Sequence, residues 1–193
     1  MTNHQFTFLA QLLKNPRSIG AIAPSSKHLT RAMLAPIDFT KLRTLVEFGP
    51  GTGAMTEIIQ ERIGKNQNYL GIELNETFCA VLRHKFPHLN FVNRSACDLG
   101  EILKEQGLSQ VDAIICGLPW ASLPLFVQQQ TIEEMLKCLA PGGIFVTFAY
   151  VQGTMLPGAF ALRRRLRGSF KNVTTTKIVW RNFPPAFAYV CQN

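Results

Sequence analysis

Apolar positions along this chain fall into short solid runs that alternate with runs spaced for one helical face, and glycine or proline marks most of the changes. Leu42–Phe48 is an apolar run closed by Gly49-Pro50-Gly51, the pattern of a buried strand. Ala54–Ile63 then carries Met55, Ile58, Ile59 and Ile63 at helical spacing. The alternation continues with a strand over Tyr69–Glu73, a helix over Glu76–Lys85 stopped by Pro87, and a strand over Leu89–Asn93. A brief helix at Ile102–Gln106, a strand over Val111–Cys116 and a long helix over Leu125–Leu139 follow. Pro141-Gly142-Gly143 turns into a strand over Ile144–Tyr150. Strands and helices in this rhythm predict βαβ units and a parallel sheet covered on both faces. The tail breaks the rhythm: Val173–Trp180 and Ala186–Cys191 flank Asn182-Phe183-Pro184-Pro185 and read as an antiparallel pair.

Residues 1–40 precede the first core strand and read as a separate helical segment ahead of a domain over 41–193. Phe6, Leu9, Ala10 and Leu13 share one helical face, which Phe8 and Leu12 widen, and Pro16 ends the helix. Such a helix either docks in a core or lies in a lipid interface. Ser25 and Ser26 offer an N-cap for a second helix through about Leu34, on which His28 would be exposed.

The net charge of +8 favours anionic partners, nucleic acid or an acidic membrane surface, without choosing between them. The five cysteines form no CxxC pair and no zinc-like cluster, so no metal is expected and buried reduced thiols are. No run has the roughly 20 apolar residues of a spanning helix. The N-terminus lacks the pattern of a signal peptide, so the expected location is cytoplasmic.

Glu47-Phe48-Gly49-Pro50-Gly51-Thr52-Gly53 stands where the first strand meets the first helix. Its glycines permit a tight turn and close backbone approach to a ligand, and the helix start presents free N–H groups. Glu73 ends the second strand twenty residues after Gly53, where a carboxylate can take both hydroxyls of a ribose. These features together point to a nucleoside ligand. The dinucleotide fingerprint fits less well, since Thr56 stands where its third glycine would be. Glu47, charged after the apolar Leu45-Val46, needs a compensating partner or a capping role.

The glycine run resembles motif I of the class I methyltransferases. Ser95-Ala96-Cys97-Asp98 after the third strand, Leu139-Ala140-Pro141-Gly142-Gly143 before the fifth, and the terminal antiparallel pair continue the match. The resemblance implies a Rossmann-like α/β fold, a seven-stranded mostly parallel sheet with an antiparallel terminal strand, and S-adenosylmethionine as cofactor. It implies that Glu47 helps organise the methionine end, that Gly49, Gly51, Thr52 and Gly53 form the turn, and that Glu73 holds the ribose. Cys116 and the adenine contact around Ser95 and Ala96 complete the cofactor set, although Ser95 replaces the family's usual acid.

Cys116-Gly117-Leu118-Pro119-Trp120 follows the fourth strand, where enzymes methylating exocyclic amines often carry an Asn before Leu-Pro-aromatic. Here the Asn is absent, which weakens adenine methylation and leaves other amines. Trp120 reads either as an aromatic against the acceptor or as a core side chain capping the turn. Phe8-Leu9, Asn15–Ser26, the glycine run, Gly117-Leu118-Pro119 and Trp180–Ala186 together resemble the bacterial phospholipid N-methyltransferases. That resemblance implies transfer of methyl groups to phosphatidylethanolamine, stepwise towards phosphatidylcholine, by a protein held at the inner face of the membrane. Tyr150, at the end of the fifth strand, is a candidate to accept the amine proton or hold the head group, and could equally be packing. His28 is a weaker candidate. Trp120 and Tyr150 could hold a methylated cation by cation–π attraction. Phe6, Phe8, Leu9, Leu13, Arg17, Ser25, Ser26, Leu118 and Pro119 are candidate lipid contacts, as are Arg163, Arg164, Arg165 and Arg167 after the apolar Met155–Leu162. A charge run of this kind is otherwise a solvated face. The competing readings are an rRNA adenine N6-methyltransferase, which the missing Asn and the lack of a C-terminal RNA-binding domain disfavour, and a non-enzymatic membrane adaptor.

Overall fold

Thr44–Phe48 (β1), Asn68–Ile72 (β2), Asn90–Val92 (β3), Val111–Cys116 (β4) and Leu139–Tyr150 (β5) are parallel in a computed structural model that describes residues 26–193. Ala186–Gln192 (β7) runs antiparallel to β5, and Asn172–Thr175 (β6) antiparallel to β7. The sheet order is β3-β2-β1-β4-β5-β7-β6. The order reverses at β1, so a crevice opens beside its C-terminal end, the place where open α/β sheets bind ligands.

The helices are Lys27–Leu34 (α1), Thr56–Ile59 (α2), Glu76–Lys85 (α3), Leu99–Glu105 (α4), Leu125–Cys138 (α5) and Pro157–Ser169 (α6). The first three cover one face of the sheet and the last three the other. Leu29, Met33 and Leu34 of α1 are buried with Ile59, Leu82, Leu45 and Ile115, so α1 shares the core of that face. Leu99, Met135, Leu162 and Leu166 are buried with Val46, Ile114 and Phe145 on the other. Each central strand thus sends alternate side chains into two cores.

Local chemistry explains most boundaries. Ser26 caps α1 by accepting the Leu29 N–H at 3.2 Å, and Asn75 caps α3 by accepting from Phe78 at 3.1 Å. The helix expected over Ala54–Ile63 is α-helical only at α2. The coil continues beyond it with mixed bonds, Arg62 N–H to Ile59 O at 2.9 Å and Ile63 N–H to the same oxygen at 3.0 Å. Pro141-Gly142-Gly143 is a correction: it does not precede the fifth strand but lies within it. The register slips there, Val111 facing Leu139 and Ala113 facing Ile144, and Gly142 has φ +74°. The strand expected over Val173–Trp180 stops at Thr175. At Thr176 the side-chain hydroxyl takes the Ala188 N–H at 2.9 Å, and the chain turns away.

Candidate active site

The glycine turn is folded tightly against its neighbours. Gly49, Gly51 and Gly53 have φ +66°, +57° and +80°, a region that side chains with a Cβ rarely adopt. Their surroundings differ. A Cβ on Gly49 would lie 2.8 Å from Leu118, and one on Gly53 would lie 2.5 Å from Phe86. A Cβ on Gly51 would meet nothing within 4 Å. Gly49 and Gly53 are therefore bare for packing, while Gly51 presents its backbone to open space.

Glu73, at the end of β2, reaches across to this turn. Its Oε2 accepts the Gly51 N–H at 2.9 Å and its Oε1 the Asn75 N–H at 2.8 Å. Both carboxylate oxygens thus sit at the sheet edge beside the turn, and burial raises the carboxyl above its ordinary pKa against these bonds. Asn93, which no sequence motif marks, donates to the carbonyls of Glu73 and Leu74 at 2.9 and 3.0 Å and holds this corner.

Glu47 is fully buried in β1. Its Oε2 accepts from the Thr56 hydroxyl at 2.8 Å and the Tyr69 hydroxyl at 2.5 Å, while Oε1 has no partner among the described residues. Burial pushes its carboxyl up to about 7, although both hydroxyl donors pull the other way. The Tyr69 phenol is raised well above its usual value, first by burial and then by the Glu47 charge. Gly71 faces Glu47 in register, and a Cβ there would lie 2.5 Å from Phe91 and 3.0 Å from the Tyr69 hydroxyl. The missing side chain at Gly71 is what admits Tyr69. The need for a partner was legible at Glu47; that Tyr69 and Thr56 supply it was not.

Beyond β3, the Ser95 hydroxyl accepts the Cys97 N–H at 3.2 Å and caps the turn Ala96–Asp98. Beyond β4, Trp120 is buried with its N–H donating to the Thr147 hydroxyl at 2.8 Å, its ring edge-on to Phe145. Thr147 donates on to the Cys116 carbonyl at 3.2 Å, so the indole braces the turn from below. This placement supports the core reading of Trp120. Burial pushes the Cys116 thiol up to about 12, so it stays protonated. Gly117 donates to the Phe48 carbonyl at 2.8 Å, and a Cβ on it would lie 2.9 Å from the Gly49 carbonyl. The two turns are thereby locked together, with half-buried Leu118 and Pro119 above them. Tyr150 is half-buried at the same edge, edge-on to Phe148.

Arg163, Arg164 and Arg167 are exposed on α6, and Arg165 is half-buried, donating to the Gln128 side chain at 3.3 Å. Ser26 has its hydroxyl in the α1 cap and its N–H on Asn182 Oδ1 at 2.9 Å. His28 is exposed. Phe6, Phe8, Leu9, Leu13, Arg17 and Ser25 lie outside the described residues. Among the described residues no cluster of His, Cys, Asp and Glu could hold a metal ion, and no helix is long and apolar enough to cross a membrane.

The profile of a methyltransferase domain family matches residues 46–145, which run from within β1 to the middle of β5 and hold Glu47, the glycine turn, Glu73 and the turn Gly117–Trp120. The chain belongs to this methyltransferase family. A curated relative, the ornithine lipid N-methyltransferase of Singulisphaera acidiphila, is 34% identical over 191 residues, 97% of this chain and 95% of its own. Among solved structures, an O-methyltransferase from Bacillus cereus in complex with S-adenosylhomocysteine superposes with a TM-score of 0.67 at 14% identity, covering 96% of this chain and 90% of that one. The N-methyltransferase NodS from Bradyrhizobium japonicum, also with S-adenosylhomocysteine, gives 0.62 at 15% identity over 86% and 85%. The Rossmann-like class I fold is thereby established, and the chain is a methyltransferase of the lipid N-methyltransferase type that uses S-adenosylmethionine. The residues present fit that cofactor. Gly51 offers bare backbone to open space, the Glu73 carboxylate stands beside it, and a buried Glu47 oxygen is left without a partner.

Proposed function

We propose that this methyltransferase acts on the head-group amine of phosphatidylethanolamine and its partly methylated forms, towards phosphatidylcholine, at the cytoplasmic face of a membrane. What supports a membrane-lipid acceptor is identity to a lipid N-methyltransferase that spans both the cofactor cradle and the acceptor-side elements. The choice of phosphatidylethanolamine rests on the N-terminal and tail motifs. Ornithine lipid, the acceptor in the relative's name, is the second reading. Both present an aliphatic ammonium at a bilayer surface.

When bound, S-adenosylmethionine supplies a sulfonium methyl for in-line displacement by a neutral amine. Gly51 and Glu73 would hold its ribose end and Glu47 its methionine end, with Ala96 beside the adenine. Leu118 and Pro119 line the acceptor side on a turn that Trp120 and Thr147 brace. Such a site works by positioning and exclusion of water. The head-group ammonium must first lose a proton. Burial raises the Tyr150 phenol, so at neutral pH it keeps its own proton and offers a hydrogen bond to the head group. Solvent is then the proton acceptor.

Incubation with methyl-labelled cofactor and separate vesicles of phosphatidylethanolamine and of ornithine lipid, beside an RNA pool, tests the reading. Label in phosphatidylethanolamine is expected. Label in ornithine lipid alone moves the acceptor to the second reading, and label in RNA alone refutes both.

A further inference from the structure

All twelve acidic residues precede Met135, and the stretch from Val151 to Asn193 holds seven basic side chains and no acidic one. Among the described residues, the same stretch holds most of the large apolar side chains left in solvent. Met155 is 82% exposed, Phe160 58%, Trp180 73% and Phe183 88%.

These side chains share one edge. Met155 ends the turn Val151–Met155 that leaves the C-terminal end of β5, and Phe160 sits in the first turn of α6. Trp180 and Phe183 lie on the β6–β7 connection, which arrives at the same end because β7 is antiparallel to β5. The two segments are tied by the Val151 N–H on the Pro185 carbonyl at 2.9 Å. The connection is held in place: Val179 bridges Ala186, and the Asn182 amide donates to the Pro184 carbonyl at 2.7 Å while its oxygen takes the Ser26 N–H. Trp180 and Phe183 are therefore displayed on a braced loop.

Helix α6 carries the charge in register with this rim. Leu162 and Leu166 face the core, while Phe160, Arg163, Arg164 and Arg167 recur at helical spacing on the opposite, exposed side. At the helical rise the arginines stand about 5–10 Å behind Phe160 along the axis. That is the depth separating inserted apolar groups from head-group phosphates when a protein lies in a bilayer interface. Lys177 and Arg181 flank Trp180 on the neighbouring loop.

We infer that the rim Met155, Phe160, Trp180 and Phe183, backed by Arg163, Arg164 and Arg167, is a docking face for an anionic bilayer, beside the acceptor turn. The occupant is read from charge complementarity and from where the rim lies, at the edge where the glycine turn, the Leu118-Pro119 turn and Tyr150 also end. The choice of a bilayer rests on the proposed lipid acceptor. A nucleic acid would use the arginines, but the aliphatic Met155, and Leu156 beside it, would gain nothing from it.

The two tryptophans make the test direct, because Trp120 is buried and Trp180 is not. The full chain is titrated with vesicles of phosphatidylcholine alone and with an equal mixture of phosphatidylcholine and phosphatidylglycerol, without methyl donor. A blue shift of the Trp180 emission with the mixed vesicles only, absent in Trp180→Phe, is expected. Arg163→Gln/Arg164→Gln/Arg167→Gln should lower partitioning roughly a hundredfold, at about a fivefold factor per arginine near an anionic surface. Phe160→Ser/Phe183→Ser should lower it at least tenfold while leaving S-adenosylhomocysteine affinity unchanged. Wild-type partitioning in both multiple variants overturns the inference. So does a Trp180 emission shielded from iodide before vesicles are added, which would mean that residues 1–25 cover the rim, and so does a shift with a hairpin RNA stronger than with vesicles. Vesicle binding is read without catalysis, so failure to methylate phosphatidylethanolamine would count against the acceptor alone.

Discussion

Replacing Glu47 by Gln should abolish a loss of stability that accompanies rising pH and weaken the hold on the cofactor. The reasoning starts from a fully buried carboxyl whose pKa is raised from 4.5 to about 7, chiefly by burial. Between those values the folded state keeps a proton that the unfolded chain has released, so stability falls as pH rises through the window. Below 4.5 both states are protonated and above 7 both are ionised, so the change is confined to that interval. The displacement corresponds to about 3 kcal/mol of stability lost across it. Gln does not titrate. Its carbonyl oxygen can still accept from Tyr69 and Thr56, but its amide would occupy the place of the unpartnered Oε1. A buried amide without acceptor costs about 1–3 kcal/mol at every pH. The decisive quantity is therefore the pH dependence of the difference between wild type and variant, in which titrating groups distant from Glu47 cancel. Urea unfolding should show that difference moving in favour of Glu47→Gln by about 3 kcal/mol from below pH 4.5 to above pH 7. Thermal melts should show about 6–12 °C for a chain of this size. Calorimetry with S-adenosylhomocysteine should show weakened binding in the same variant. A stability difference that stays flat across the window would refute the account of Glu47.

Gly51→Val should fold with about 1–3 kcal/mol of backbone strain and lose S-adenosylhomocysteine binding, because its side chain enters open space at the turn; wild-type affinity by calorimetry would remove Gly51 from the site. Gly53→Ala should instead lower the melting temperature, since its Cβ falls on Phe86. Glu73→Ala should weaken the same binding and free the N–H groups of Gly51 and Asn75, which amide exchange would report as lost protection. Deleting residues 1–14 should leave cofactor affinity intact, as the cradle lies outside the deletion, and reduce vesicle binding if that segment is a second anchor; unfolding of the truncated chain would show it to be core structure.

The parts of the fold most legible in the sequence were those whose ends carry their own chemistry. Glu76–Lys85 was readable because Pro87 must stop it, and in the structure Asn75 caps its start. Val111–Cys116 was readable because Gly117 follows a run that is apolar but for Asp112. What failed depended on partners distant in sequence. Nothing local to Pro141-Gly142-Gly143 says that β4 continues to pair on both sides of it, so a bulge reads as a turn. Nothing local to Thr176 says that its hydroxyl will take a strand N–H from Ala188. In the candidate site, the left-handed glycine turn and the place of Glu73 beside it were legible because a glycine run and a strand end dictate that geometry. Trp120 was ambiguous because an aromatic after a Leu-Pro turn can face either way, and only Thr147, in the next strand, decides it. Tyr69 escaped notice because its role exists only through the empty place at Gly71.

The bulk charge illustrates the same limit from the other direction. A net +8 says that anions are welcome somewhere, and as a single number it suits RNA and an acidic bilayer equally. The distribution is what the bilayer inference draws on. The half of the sheet that builds the cofactor cradle, β1 to β3, holds Glu47 and Glu73 and the paired surface network of Arg94 with Asp98, Glu101 and Glu105. The half after α5 has no carboxylate side chain to pair its arginines internally, so their charge is left for an outside partner. The exposed Trp180 and Phe183 stand at the acceptor edge of that half, where burying either ring in an interface would be worth on the order of 1 kcal/mol or more. Charge alone would draw the protein to any polyanion, and apolar side chains alone would draw it to any apolar surface. The anionic bilayer inferred above would answer both within the span of one helix and one loop, with phosphate above and hydrocarbon below.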